Sequence, residues 1–251
     1  MNERQPRGNK RPKKERKLNE KLCVNHDKLT SLPEEWMWVS LGSIFDISSG
    51  GTPRRDKPEY WKGNIPWVSS GEVAFNDIVD THECITKEGM ENSSAKIYPS
   101  GTVLLALYGE GKTRGQVAIL RKPATTNQAI GSILVSRTVV PPEYVFWWLV
   151  YRYLETRSVG AGGNQPNMYL RQVREIPIPL APYQELIRIT KRIVELFFFI
   201  NSIEKAIEVA VKKSKKMDQA ILAKAFRGEL VPQDPNDEPA SVLLERIKAQ
   251  A

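Results

Sequence analysis

The heptapeptide Gly109-Glu110-Gly111-Lys112-Thr113-Arg114-Gly115 sets two cations and a hydroxyl among three glycines, a composition suited to phosphate. A nucleotide-binding loop would carry a first glycine where Ala106 stands, and it would open straight into a helix whose N-terminus faces the phosphates. Here the β-type run Val117-Ala118-Ile119-Leu120 follows, and no apolar strand ending in Asp comes after it to hold Mg²⁺. What remains is a glycine-rich hairpin tip with solvated charges, or a tip that sets Lys112, Thr113 and Arg114 against a nucleic acid. Two other groups invite the same chemistry. Arg54 and Arg55 end the turn-forming run Ser48-Ser49-Gly50-Gly51-Thr52-Pro53, which reads as an exposed loop. Asn127 and Gln128 carry amides able to pair bidentately with adenine, although polar residues ahead of a strand also satisfy backbone groups.

Other chemistries find too few groups. Asp80, His82 and Cys84 are close in sequence, but a structural zinc takes four ligands and the only other histidine is His26. Cys23 and Cys84 lack the C-x-x-C spacing of a metal or redox site. Asn164-Gln165-Pro166-Asn167 is distantly similar to the Asn-Pro-Pro-aromatic signature of amino-methyltransferases, but lacks the second proline and the aromatic. No glycine-rich cofactor turn accompanies it, so Asn167 is expected to cap a short helix over 168–174.

These loops need strands to carry them. Residues 102–108 read as a buried strand with 117–120 as hairpin partner, 130–135 as another, and 64–68 as a further strand; the stretch up to Met90 has no decisive period. Pro141-Pro142 opens a helix whose aromatics at Tyr144, Trp147, Trp148 and Tyr151, with Leu154, point to core packing. Gly160-Ala161-Gly162-Gly163 reads as a hinge or close-approach loop. Ile176-Pro177-Ile178-Pro179-Leu180 is an edge strand, because its prolines cannot donate to a ladder.

Directly afterwards comes the longest helix. Apolar or small residues at Ile189, Ile193, Leu196, Ile200, Ile203, Ile207, Ala210, Ser214, Met217 and Ile221 alternate steps of four and three, a coiled-coil seam. Ala181-Pro182 suits its first turn and Gly228 its end. At 1.5 Å per residue its roughly 45 residues span about 65 Å. The run Leu196-Phe197-Phe198-Phe199-Ile200 is apolar all round and implies more than one neighbour. The expected fold is α/β (α+β): a mixed-sheet domain, the long coiled-coil helix, and a short C-terminal helix around Val242, Leu243 and Ile247.

The net charge of +8 is unevenly placed. Residues 1–28 carry ten Lys/Arg against four Asp/Glu and read as a disordered basic arm, whereas residues 29–183 carry fifteen of each. Any nucleic-acid contact by the globular body must therefore be local. No apolar run reaches membrane-spanning length and the N-terminus lacks a signal peptide's apolar core, so a cytoplasmic protein is expected.

Several segments in order carry a resemblance: Leu32-Pro33-Glu34-Glu35-Trp36 with Gly50-Gly51-Thr52-Pro53; Ile65-Pro66-Trp67-Val68; Leu104-Leu105 with the 109–115 loop; Thr125-Thr126-Asn127-Gln128; the 176–180 strand opening a long helix; and Ala223-Lys224-Ala225-Phe226-Arg227-Gly228-Glu229-Leu230. Over residues 32–251 the chain resembles the DNA-specificity subunits of type I restriction–modification systems, in a half-subunit form with one recognition domain. The resemblance implies a target-recognition domain over 29–181, a spacer and dimerisation helix over 182–228, and a tether with a short helix over 229–251. It implies a non-catalytic, homodimeric protein without cofactor that binds double-stranded DNA. S-adenosylmethionine would belong to methyltransferase (M) subunits docked on the spacer, and ATP with Mg²⁺ to restriction (R) subunits. Because that family varies most where it touches bases, Arg54, Arg55, Lys112, Thr113, Arg114, Asn127 and Gln128 stand as DNA-binding candidates on loop chemistry alone. Two other readings stay open: a coiled-coil adaptor without a DNA role, and a methyltransferase or NTPase built on Gly111-Lys112-Thr113.

Overall fold

The computed structural model describes residues 30–109, 112–158 and 168–250. The predicted arm at 1–28, the 160–163 hinge, the Asn167 cap and the loop residues Glu110 and Gly111 lie outside the described residues. The chain forms two units, one reaching Val194 and one beginning at Glu195.

The first unit is built on a five-stranded mixed sheet ordered β2 (Ile47–Ser49), β9 (Ile130–Ile133), β6 (Val103–Ala106), β7 (Val117–Leu120) and β4 (Asn76–Ile78). The predicted hairpin is there: Val103 faces Ile119 and Leu105 faces Val117, antiparallel. Every residue of β6 and β7 is buried. The period of two sends Val103, Leu105, Val117 and Ile119 into one core, and Leu104, Ala106, Ala118 and Leu120 into another. A sheet covered on both faces reads as continuous apolar runs, which is why these strands were legible.

A three-stranded sheet, β5 (Glu83–Ile85), β3 (Trp61–Val68) and β8 (Thr125–Thr126), adds a smaller core of Trp67, Ile85 and Ala95. The stretch without a readable period holds β4, β5 and α2 (Lys87–Glu91), the last begun by the Thr86 hydroxyl accepting from Gly89 N at 3.1 Å. Three-residue strands are too short to display alternation.

The third sheet pairs β1 (Met37–Ser40) with β10 (Pro177–Leu180), antiparallel. Leu41 N donates to Ile176 O at 2.9 Å, so Ile176, Ile178 and Leu180 turn their backbone toward β1 while Pro177 and Pro179 face the outer edge. Proline leaves no orphan N–H there, and the two outer carbonyls are satisfied by α3 (Pro142–Tyr151): Trp148 Nε1 donates to Pro177 O at 2.7 Å and Tyr144 OH to Pro179 O at 2.6 Å. The spacing of four on the helix matches the spacing of two on the strand.

The aromatic stripe of α3 is only partly core. Tyr144, Val145, Phe146 and Leu149 are buried, but Tyr151 is 80% and Leu154 78% exposed. The chain leaves helical geometry at Arg152 before α4 (Tyr153–Ser158), so the apolar face is not carried through. The helix expected at 168–174 is α5 (Leu170–Glu175), with the Gln172 carboxamide accepting from Tyr169 N at 2.8 Å. Earlier in the chain, α1 (Leu41–Ile44) links β1 to β2.

The long helix α6 (Tyr183–Phe226) starts inside this unit. Leu186 and Thr190 are buried, Ile189 packs on the core, and Trp36 Nε1 donates to the Glu185 carboxylate at 3.2 Å. Ile189, read as a seam residue, is thus already used by the domain. In the second unit Leu196, Ile200, Ile203, Ile207, Ala210, Ser214, Met217 and Ile221 are all exposed, as are Phe198 and Phe199. The helix closes as Gly228 suggested. Glu229 N donates to Lys224 O at 2.9 Å and Gly228 N to Ala225 O at 3.1 Å, with Gly228 at φ +73°. The helix α7 (Ala240–Ala249) follows. No described helix is long and apolar enough to cross a membrane.

Candidate nucleic-acid interface

Strand register gathers loops that are far apart in sequence. Ser49 lies opposite Gly131, Ala106 opposite Ile130, Leu105 opposite Val117, and Asn76 beside Ala118. The loops that leave β2 (50–55), join β6 to β7 (107–116), enter β9 (127–129) and enter β4 (69–75) therefore share one end of the five-stranded sheet. The three-stranded sheet contributes to the same end, since Val68 pairs with Thr126 and Trp67 with Glu83.

The 50–55 loop is not freely exposed, as its turn formers suggested. Gly50, Gly51 and Pro53 are buried; only the arginine end is open. Gly51 N donates to Thr126 O at 2.9 Å, Trp67 Nε1 donates to Gly51 O at 3.0 Å, and the Thr52 hydroxyl donates to the Gln128 carboxamide oxygen. A Cβ on Gly50 would stand 1.9 Å from Thr126 O, and one on Gly51 2.5 Å from the Ser94 carbonyl carbon. The two glycines exist so that backbones can touch.

Both arginines are ion-paired. Arg54 bridges to Asp56 at 2.6 Å with both groups largely exposed. Arg55 forks onto Glu83 at 2.5 and 2.9 Å and lies 3.7 Å above the Trp61 ring, with Trp67 edge-on to Trp61 at 5.1 Å. The hydrogen bond from Arg55 holds the Glu83 carboxyl below the usual carboxylate range. Asn127 Oδ1 accepts from Ala129 N at 3.0 Å, the backbone-satisfying role, while Gln128 is exposed at the rim.

Lys112, Thr113 and Arg114 sit in a turn: Gln116 N donates to Thr113 O at 3.0 Å and Gly115 N to Ala106 O at 2.8 Å, and the chain continues into β7. Tyr153 OH donates to Lys112 O at 2.5 Å, and Phe75 meets the Tyr153 ring edge-on at 4.9 Å. Phe75 holds φ +58°, unusual for a bulky residue. Neither aromatic was a sequence candidate, because nothing local connects residues 75, 112 and 153. Glu72 was more legible, as the last residue of Ser69-Ser70-Gly71-Glu72, a capping-box spacing. Its carboxylate accepts from Ser69 N at 2.8 Å and His82 N at 3.0 Å, tying the 69–75 loop to the start of β5.

Seven candidates from three loops thus occupy one sheet end, in the company of Phe75 and Tyr153. The seam residues Leu196 to Ile221 belong to the second unit. The arrangement offers lysine, arginine, hydroxyl and carboxamide groups on a hydrogen-bonded scaffold. Among the described residues no three His, Cys, Asp or Glu side chains are grouped to hold a metal.

Comparison with known proteins agrees with this architecture. The chain is 25% identical over 209 residues to the Type I restriction enzyme MjaIX specificity subunit of Methanocaldococcus jannaschii, covering 81% of this chain and 46% of that protein. It is 35% identical over 201 residues to the EcoKI specificity subunit of Escherichia coli (strain K12), covering 74% and 42%. The crystal structure of the HsdS subunit from Thermoanaerobacter tengcongensis shares the fold with a TM-score of 0.60 at 20% identity, over 85% of this chain and 49% of that one. The chain spans about half the length of these relatives. Since residues 33–213 match the model of the Type I restriction modification DNA specificity domain, and the mixed-sheet domain with its long helix is the fold found here, the chain belongs to that family.

Proposed function

We propose that this chain reads one half of a bipartite DNA target for a type I restriction–modification complex and is itself non-catalytic. The observation that carries this reading is the convergence of the 50–55, 107–116 and 127–129 loops on one sheet end. Those loops offer the amide, hydroxyl and cationic groups that recognise base edges and phosphates. The exposed seam from Leu196 to Ile221 then pairs with a second copy and docks the methyltransferase subunits, which bring S-adenosylmethionine. Restriction subunits would supply ATP-dependent cleavage. The adaptor alternative predicts no DNA role for the loops, and the methyltransferase or NTPase alternative predicts cofactor binding by this chain alone.

The test is DNA binding by the chain assembled with its methyltransferase subunits, using duplexes selected from randomised half-sites. Gln128→Ala should relax selection at one or two positions, and Lys112→Ala should weaken all duplexes alike. An assembled complex that binds no duplex selectively overturns the proposal.

A further inference from the structure

The Lys/Arg and Asp/Glu counts over residues 29–183 are equal. Affinity for DNA nevertheless rests largely on neutralised phosphates, so the domain needs a local concentration of cations. One lies along the outer edge of β2, the end strand of its sheet. There a cleft of about 430 Å³ is lined by Lys96, Arg137 and Arg174, with Asp46 the one carboxylate among the described lining residues. Arg174 Nη2 donates to Ile47 O at 2.7 Å, so the carbonyl that a further strand would pair with is occupied. Arg137 reaches Asp46 at 3.1 Å from an exposed position, and Lys96 Nζ lies 5.7 Å from the Tyr98 ring centroid. Ser48 and Tyr98 add hydroxyls 3.2 Å apart.

Lys96 marks the end of the cleft nearer the reading loops, and Asp46, Leu134 and Arg137 the far end, where Leu134 N donates to Asp46 O ahead of β2. Gly51 packs on Ser94 and Ala95, and the next residue is Lys96. Among the described lining residues only Ile97 exposes a large apolar side chain. An acidic protein segment would therefore find little apolar anchorage, whereas phosphates need none. We propose that this cleft is a phosphate-binding track for the DNA strand leaving the reading loops. The proposal rests on the DNA reading above and adds a contact that carries affinity without sequence choice.

The test uses the full chain assembled with its methyltransferase subunits, titrated with a selected duplex and a scrambled duplex across a range of salt. The double variant Lys96→Ala/Arg137→Ala leaves the Arg174 support of Ile47 intact, and thermal unfolding checks its fold. Its log affinity against log salt should be shallower by about two on both duplexes, with their affinity ratio unchanged. A slope equal to the wild type overturns the track while leaving the loop reading standing. So does a folded variant that fails to assemble with the methyltransferase subunits, which would assign the cleft to a protein. A wild-type complex that binds neither duplex overturns the reading and the track together.

Discussion

Removing residues 203–209 from α6 tests whether the helix acts as a ruler. The deletion takes out one heptad, so Ala210 follows Ile200 at the spacing that Ile203 held and the seam continues unbroken. It lies beyond Val194, in the second unit, and leaves the recognition domain untouched. Seven residues at 1.5 Å shorten each helix by about 10 Å and turn its far end by about 20°. If two copies pair antiparallel, the domains approach by that distance, equal to about three base pairs at 3.4 Å each. The half-sites would also rotate about the duplex by about 100°, at roughly ten pairs per turn. The assay is selection from randomised half-sites with variable gaps, in the presence of the methyltransferase subunits. Circular dichroism and light scattering establish that the variant is helical and assembled. The preferred gap should shorten by about three pairs. An assembled, helical variant that keeps the original gap refutes the ruler, as does a wild-type complex containing one copy of this chain.

Tyr144→Phe removes the donor to Pro179 O without changing packing volume and should cost about 1–3 kcal/mol, read by urea unfolding at pH 7 through tryptophan emission. Burial, with a smaller contribution from Glu185, pushes the Tyr144 hydroxyl up to about 12. A phenol raised from about 10 keeps its contribution in full below pH 10 and loses about 3 kcal/mol as pH rises through 12, a limb absent in the variant. Gly50→Ala should prevent the 50–55 loop from docking, since its methyl would sit 1.9 Å from Thr126 O; unchanged unfolding and DNA affinity would contradict that geometry. Gly228→Ala forces a side chain to φ +73° and should cost about 1 kcal/mol at the helix end, seen as lower helicity in circular dichroism on heating. Lys112→Ala should make the salt dependence of DNA binding shallower by about one.

What the sequence by itself determined was whatever depends on neighbours within a few residues. The apolar runs at 103–106 and 117–120, the alternating prolines of 177–180, the long helix α6 and the glycine that ends it are local patterns, and the structure contains each. The family landmarks are of the same kind. Gly50 and Gly51 were legible as residues but not as a contact, because their partners Thr126 and Ser94 are supplied by distant chain.

Only the tertiary structure decided which loops meet. Register between strands as far apart as β2 and β9 places residues 50–55 beside 127–129, and no local period encodes that pairing. It also decided what each charge faces: Arg55 is held by Glu83, a residue 28 positions away, and Lys112 is supported by Tyr153, 41 positions away. The same holds for α6, whose period runs unbroken through Ile189 although the domain core takes that residue for itself. Periodicity states that a face is apolar; only the packed chain states which surface covers it, because burial depends on contacts between segments that sequence distance does not order.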